Sequence, residues 1–307
     1  MRRIIWNVRC SDFAFSDYPP MTGRIVGLLA RLSHMPSVVA VNSLASQRAH
    51  IRLGYHPKRW AYLPNGFNTS EWKPIGRSKM RAELGLGENE FAIGRVGRVD
   101  QQKDFATFIT ALQMIASRQP SLRPVLIGRG TDELKLPAEL KATTQALGLR
   151  RDMPEIIRAL DLVVSSSAYD GGLPNVVAEA MASGVPCVVT DVGDCATLVG
   201  NSGIVVRPRD PAAMARAVET MMAMPREELA QMAARGRRRV TKFFDPDLPR
   251  PISGAHHCSG NRISKRWRLS PRMRQEPENP RQRTVQRKKV AHRRLIDSSS
   301  GSWAQPT

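Results

Sequence analysis

Phe91-Ala-Ile-Gly-Arg-Val-Gly-Arg-Val-Asp-Gln-Gln-Lys-Asp-Phe105 is the stretch on which the fold turns. Phe91 to Val96 form an apolar run of strand length, Gly97 breaks it, and Asp104 stands where a helix N-cap belongs. Beyond it Phe105, Phe108, Ile109, Leu112 and Ile115 recur at the 3-4 spacing of one helical face. Strand, tight turn and helix follow one another, and the rest of the central chain repeats the unit. Strands are expected at Pro124 to Ile127, Leu162 to Val164, Pro186 to Thr190 and Gly203 to Val206. Helices are expected at Ala138 to Leu147, Asn175 to Ala182, 211–222 and 226–242. Such alternation predicts parallel βαβ units with helices on both faces of a sheet, an α/β domain spanning 78–245.

The pattern changes on both sides. Residues 1–77 hold a strand at Ile4 to Val8, an amphipathic helix at Arg24 to Leu32, a strand at Val38 to Val41 and a turn-rich exit at Pro64-Asn65-Gly66. That reads as the tail end of a doubly wound domain whose earlier strands are absent from this chain. Residues 246–307 lose apolar periodicity altogether and are rich in Pro, Arg, Ser and Gln, which predicts disorder. The abrupt change after Asp245 suggests a frameshifted reading frame joined to an interrupted coding region, with a functional basic arm as the rival reading.

The formal charge of +20 raises nucleic acid or an anionic membrane as partners. Its location argues against the first. Residues 246–307 carry 14 Lys and Arg against 4 Asp and Glu, half of the net charge in a fifth of the chain, with only Trp267 and Trp303 as interleaved aromatics. A nucleic-acid binder is thus the disfavoured class. Cys10, Cys187, Cys195 and Cys258 lie far apart, with neither a C-x-x-C pair nor disulfide-framework spacing, so a reduced, cytoplasmic setting fits. No run approaches a membrane span, which leaves peripheral contact with the inner membrane open.

Three loops carry the chemistry. Arg98 and Lys103 sit outside the carboxyl end of a parallel strand, where phosphate sites form, and two cations there suit a diphosphate leaving group. Two solvated surface charges are the plain alternative. Leu126-Ile-Gly128-Arg-Gly130 ends another strand in glycines that admit close backbone approach, but Glu133 stands where a dinucleotide fingerprint needs its third glycine. Hydride transfer loses support, and no P-loop motif occurs. Ser165-Ser-Ser-Ala-Tyr-Asp170-Gly-Gly172-Leu173-Pro174-Asn175-Val176-Val177-Ala-Glu179 ends a strand, turns through glycines and opens a helix whose first amides suit an anion. Glu179, one turn on, has the chemistry to accept hydrogen bonds from a ribose diol. An acid that orients its own helix end is the alternative.

In order, Pro64-Asn65-Gly66-Phe-Asn68, Gly97-Arg98 with Lys103, Gly128-Arg-Gly130, Arg151-Asp152-Met-Pro154, Leu173-Pro174-Asn175 with Glu179, Gly184-Val-Pro186 and Gly203-Ile-Val-Val-Arg-Pro208-Arg-Asp210-Pro211 resemble glycosyltransferase family four, the group one glycosyltransferases. The resemblance runs from about Asn7 to Asp245. It implies a GT-B fold, here one Rossmann-like C-terminal donor-binding domain plus a remnant of the N-terminal one. It further implies retaining transfer of a hexose or related sugar from a UDP- or GDP-type donor to a glycan or lipid-linked acceptor, as in polysaccharide biosynthesis, with no cofactor and no obligatory metal. Arg98 and Lys103 then correspond to the diphosphate-binding pair and Glu179 to the ribose-binding second acid of an E-x7-E element. Gly97, Gly128, Gly130, Gly172, Leu173, Pro174, Asn175, Val176 and Val177 correspond to the backbone and loop contacts of the donor.

The chain departs from that pattern in places. Gly171 stands where the first acid of E-x7-E belongs, with Asp170 beside it as a shorter carboxylate. Leu147-Gly-Leu-Arg150 runs straight into Arg151-Asp152, as though about ten residues with an interior strand were missing. Arg9, in Trp6-Asn7-Val8-Arg9, falls near the position of a catalytic His in many relatives, while His256-His257-Cys258 lies in the anomalous tail. No catalytic residue can be assigned. A donor-binding protein without catalysis is the main rival, and a double-Rossmann sugar-nucleotide epimerase is a further one.

Overall fold

The computed structural model describes residues 4–11, 15, 18–169 and 172–244; the 246–307 tail, Asp170 and Gly171 lie outside the described residues. Its first sheet has three parallel strands in the order β1-β2-β3: β1 (Ile5–Val8), β2 (Val38–Val41) and β3 (Trp60–Tyr62). Helix α1 (Pro20–Leu32) connects the first pair and α2 (Leu44–Arg52) the second. The sequence reading missed α2 and β3. In α2 the sequence Leu-Ala-Ser-Gln-Arg-Ala-His-Ile-Arg has too few apolar residues to show a helical stripe, and β3 is three residues long.

After α3 (Arg77–Glu83) comes a second sheet, all parallel, of six strands in the order β6-β5-β4-β7-β8-β9. Its strands are β4 (Phe91–Val96), β5 (Leu122–Ile127), β6 (Gln145–Ala146), β7 (Leu162–Ser165), β8 (Cys187–Thr190) and β9 (Gly203–Val206). The helices between and after them are α4 (Phe105–Ala116), α5 (Ala138–Lys141), α6 (Met153–Ala159), α7 (Asn175–Ala182), α8 (Cys195–Val199), α9 (Pro211–Met222) and α10 (Arg226–Phe244). This is the doubly wound α/β architecture that the alternation predicts.

Both faces of the second sheet are buried, so its strands are nearly all apolar instead of alternating with polar residues. Ile93, Leu126, Leu162 and Val188 point to a layer made by Phe108, Leu112 and Ile115 of α4 and Met214, Val218 and Met221 of α9. Their neighbours Ala92, Val125, Val163, Cys187 and Val189 point the other way, onto Ile156 and Ile157 of α6, Val177 and Met181 of α7, and Val240 and Phe244 of α10. Full burial of each large aliphatic side chain contributes about 2 kcal/mol, so these two layers hold the sheet.

Two expectations are corrected here. The helix expected over Ala138 to Leu147 stops at Lys141, and Gln145–Ala146 leaves it to pair with Val125 and Leu126 as the edge strand β6. Thr143 and Thr144 are β-branched and disfavour continuing the helix, and the Thr143 hydroxyl donates to Leu140 O at 3.3 Å. Nor is a strand missing from the sheet interior, since β4 pairs directly with β5 on one side and β7 on the other. The shortened element is α5, on the surface, where no ladder partner is lost.

The last helix, α10, straps the segment after β3 to the second sheet. The Phe67 amide donates to Phe244 O at 2.8 Å, and Arg237 reaches Trp72 O at 2.7 Å, Thr69 O at 3.2 Å and Ala182 O. Among the described residues no helix is long and apolar enough to cross a membrane.

Candidate functional site

The chain runs outward from β4 through β5 to β6 and then returns to β7 on the other side of β4. At such a reversal the flanking loops diverge and leave a crevice outside the carboxyl ends of the strands. The three loops singled out from the sequence leave from β4, β5 and β7.

The first two are laced together through their backbones. Gly97 donates to Ile127 O at 2.9 Å, Val99 to Arg129 O at 2.9 Å and Gly128 to Gly148 O at 2.8 Å. Gly128 has φ +134°, and a Cβ placed on it would stand 2.0 Å from the Gly97 carbonyl oxygen, so only glycine fits. Gly97 (φ +153°) carries the Lys103 stem across it, with the Lys103 Cγ 3.4 Å from where a Cβ would be. Gly130, also at positive φ, closes the second loop, with the Thr131 hydroxyl on Gly128 O at 2.9 Å.

The charges of the first loop are organised among themselves. Arg98, whose side chain is 64% exposed, engages Asp100 through Nε and Gln102 Oε1 at 3.2 Å through Nη2. The other Asp100 oxygen accepts from the Lys103 amide at 2.8 Å. Asp104 adopts the left-handed conformation (φ 46°) and caps α4, accepting from the Thr107 amide at 3.0 Å and the Thr107 hydroxyl at 2.6 Å. Beneath the loop lies Arg95 of β4, 1% exposed, which sequence reasoning passed over as one polar residue in an apolar run. Its Nε donates to Ser166 Oγ at 2.9 Å and its Nη1 to Val96 O at 2.6 Å; Nη2 donates to Lys103 O, and the guanidinium stacks 4.7 Å above the Phe105 ring.

The loop after β7 is tied to the first by the Ala168 amide on Gln102 O at 2.9 Å and the Ser166 hydroxyl on Asp104 O at 2.8 Å. Gly172 lies against the first sheet, where a Cβ would stand 2.8 Å from Arg9 O and 3.5 Å from Asn42 Oδ1. Leu173 is buried, Pro174 precedes α7, and no side chain caps the helix, whose first residues are Asn175, Val176 and Val177. The exposed Asn175 accepts from Asn65 Nδ2 at 2.6 Å, and Val177 is fully buried in the core. Glu179 is half-buried one turn along α7, and its carboxylate has no hydrogen-bond or ion-pair partner among the described residues. Burial pushes its carboxyl up to about 7, and the like charge of Glu71 adds to the effect.

What holds this loop from behind carries no local mark in the sequence. Asp194, 4% exposed, reaches across to the first sheet and accepts from the Leu44 amide at 2.8 Å and the Ala45 amide at 3.1 Å, the first turn of α2, with Arg48 at 3.7 Å. The Asp194 amide donates to Gly172 O at 3.2 Å. Burial raises the Asp194 carboxyl, against the two amides and Arg48, which lower it. A cleft of about 320 Å³ opens beside it, lined among others by Ser11, Arg48, Arg52, Tyr169, Asp191 and Pro208. Among the described residues no three His, Cys, Asp or Glu side chains gather to hold a metal ion.

Thus the described residues of the three loops lie beyond the carboxyl ends of β4, β5 and β7, with Glu179 one turn along α7. Arg98, Lys103 and the glycines 97, 128 and 130 are joined by the bonds above, and the Gly172 to Glu179 segment flanks them.

Comparison with known proteins agrees with this fold. Residues 90–224 match the family "Glycosyl transferases group 1". A D-inositol 3-phosphate glycosyltransferase of Rhodococcus erythropolis is 28% identical over 252 residues, 77% of this chain and 57% of that protein. The lipopolysaccharide core biosynthesis mannosyltransferase LpsB of Rhizobium meliloti is 32% identical over 196 residues, 59% of this chain and 55% of its own length. The chain therefore spans little more than half of these relatives. Among solved structures, Anabaena Alr3699/HepE in complex with UDP and glucose superposes with a TM-score of 0.67 at 27% identity, covering 80% of this chain and 68% of that one.

Proposed function

We propose that this chain, which belongs to the group 1 glycosyltransferases of GT-B fold, binds a nucleotide-diphosphate sugar in the β4–β7 crevice and takes part in transferring the sugar, with retention, to a glycan or lipid-linked acceptor. The observation that carries this reading is the joined loop pair at Gly97 and Gly128 with Arg98 and Lys103 on its rim. In the transfer the bond from the anomeric carbon to the diphosphate oxygen breaks, and negative charge grows on the diphosphate. Arg98 and Lys103 are the groups to stabilise it, supported by the amides that open α4 and α7. Glu179, a carboxylate with no partner among the described residues, is the group to take the ribose hydroxyls. Gly172, Leu173, Pro174, Asn175 and the Val176 and Val177 amides line the sugar side. A cytoplasmic enzyme acting at the membrane face fits a lipid-linked acceptor.

Calorimetric titration with UDP, GDP and their sugars tests the binding step, and mass and anomeric analysis of products from candidate acceptors tests transfer. Lys103→Ala is expected to weaken UDP about tenfold or more while leaving uridine unchanged; equal loss for both ligands overturns the diphosphate assignment.

Gly171, where the family pattern has an acid, favours a second reading, in which the donor binds and is not turned over. Binding without product, with product restored in Gly171→Glu, selects it; no gain in that variant means Gly171 is not the defect.

A further inference from the structure

We infer that Arg95, buried in β4 beneath the loop, is the fixed charge that makes the Gly97–Lys103 loop attractive to a diphosphate, positioning Lys103 at the same time. This rests on the nucleotide-diphosphate reading of that loop and adds to it a positioning residue outside the surface that the donor contacts.

Counting charges leads to it. Between Gly97 and Asp104 the cations are the exposed Arg98 and the half-buried Lys103, and the carboxylates are Asp100 and Asp104. They cancel. The neighbouring loop adds Arg129 and Lys135 but also Asp132 and Glu133, so the two rims together hold as many acids as bases. A diphosphate approaching them meets no net positive field from the surface residues. Arg95 supplies the missing charge from below, in a low-dielectric setting where a unit charge acts with less screening than at the surface.

Its protonation is secure. Burial lowers the guanidinium to about 10, with Asp100 and Asp104 holding it up, so it stays charged at neutral pH. A buried cation without bonded partners would be costly. This one donates to Ser166 Oγ, Val96 O and Lys103 O and lies over Phe105. Those bonds fix the place of the charge. A Cβ on Gly97 would meet Arg95 Nη1 at 3.4 Å and Lys103 Cγ at 3.4 Å, so the buried fork and the Lys103 stem converge on the same face of that glycine. The bond to Lys103 O holds the backbone from which that lysine projects. Simple packing does not demand an arginine here, since an apolar side chain over Phe105 would fill the site without a buried charge.

The test compares UDP with uridine, which lacks both phosphates, by calorimetry on wild type, Arg95→Met, Arg95→Lys and Ser166→Ala, with circular dichroism as a fold check. Arg95→Met is expected to weaken UDP about tenfold or more and uridine by less than about twofold. Arg95→Lys, which keeps the charge and loses the fork, should hold the UDP-to-uridine ratio within about threefold of wild type, as should Ser166→Ala. If Arg95→Met weakens both ligands alike, or neither, the inference is overturned. Where the methionine variant does not fold, the lysine variant decides: a folded Arg95→Lys whose ratio falls as far as that of Lys103→Ala refutes it. Wild type that binds neither UDP nor GDP removes the nucleotide-diphosphate reading and this inference together. Wild type that binds UDP, beside an Arg95→Met variant with an unchanged ratio, removes only the inference.

Discussion

The loops leaving β4 and β7 face the same crevice but are stabilised in opposite ways. The Gly97–Lys103 loop satisfies its own charges: Asp100 serves Arg98 and the Lys103 amide, Asp104 caps its own helix, and Arg95 closes it from beneath. The loop before α7 is held from outside, by Asp194 and Gly172 against the first sheet and by Asn65 on Asn175, and Glu179 has no partner among the described residues. One rim is thus preorganised within the second sheet, by its own residues and the neighbouring loops. The other depends on the first sheet for its place, and a ligand is what would satisfy its carboxylate.

Four substitutions test that contrast, beginning with the most disruptive. Gly128→Ala drives a Cβ into the Gly97 carbonyl at 2.0 Å, backbone against backbone, at a positive φ. A loss of roughly 3–5 kcal/mol is expected, visible as a thermal midpoint lower by more than about 10 °C; a small shift would show that the first rim yields more than described. Asp194→Ala removes two charge-assisted bonds to the first amides of α2, whose Ser43 cap remains, for a loss of about 2–3 kcal/mol. Hydrogen exchange should then quicken in α2 and the Gly172 loop and stay unchanged at Gly97–Lys103, and quickening in both would erase the distinction.

Glu179→Gln should act in the opposite sense. Because the folded carboxyl titrates near 7, above its unfolded value of 4.5, the native state holds its proton longer, so this group lowers stability as pH rises from 4.5 through 7. The glutamine variant is therefore expected to melt higher than wild type at pH 8, by on the order of 2 kcal/mol, to match it near pH 4, and to bind the donor more weakly. A variant no more stable at pH 8 would mean that Glu179 has a partner in solution. The smallest effect is that of Asn175→Ala, which loses one exposed bond to Asn65 and about 0.5 kcal/mol, while shifting the affinity for the sugar nucleotide more than that for UMP.

Much of this was readable in advance, for physical reasons. The core strands are buried on both faces, so Val125, Val163 and Val188 sit in uninterrupted apolar runs, and the Asp104 cap declares itself by chemistry. Gln145–Ala146 could not be read as a strand, because two residues carry no period and their place is fixed by pairing with β5. Arg95 and Asp194 escaped for a related reason. Each takes its meaning from partners distant in sequence, Ser166 in one case and Leu44 with Ala45 in the other. Arg98, Lys103 and Glu179 stood out because strand ends and helix starts place them, and local sequence encodes those boundaries.

The seam between Phe67 and Phe244 has a topological consequence. Where an amide near the entry to the second sheet bonds a carbonyl at the end of α10, the two ends of that unit meet in space. The order in which its strands are threaded is therefore free to change: a circular permutant bridged across this seam by a short linker and opened at the Arg207–Asp210 turn would keep every neighbour in the six-stranded sheet.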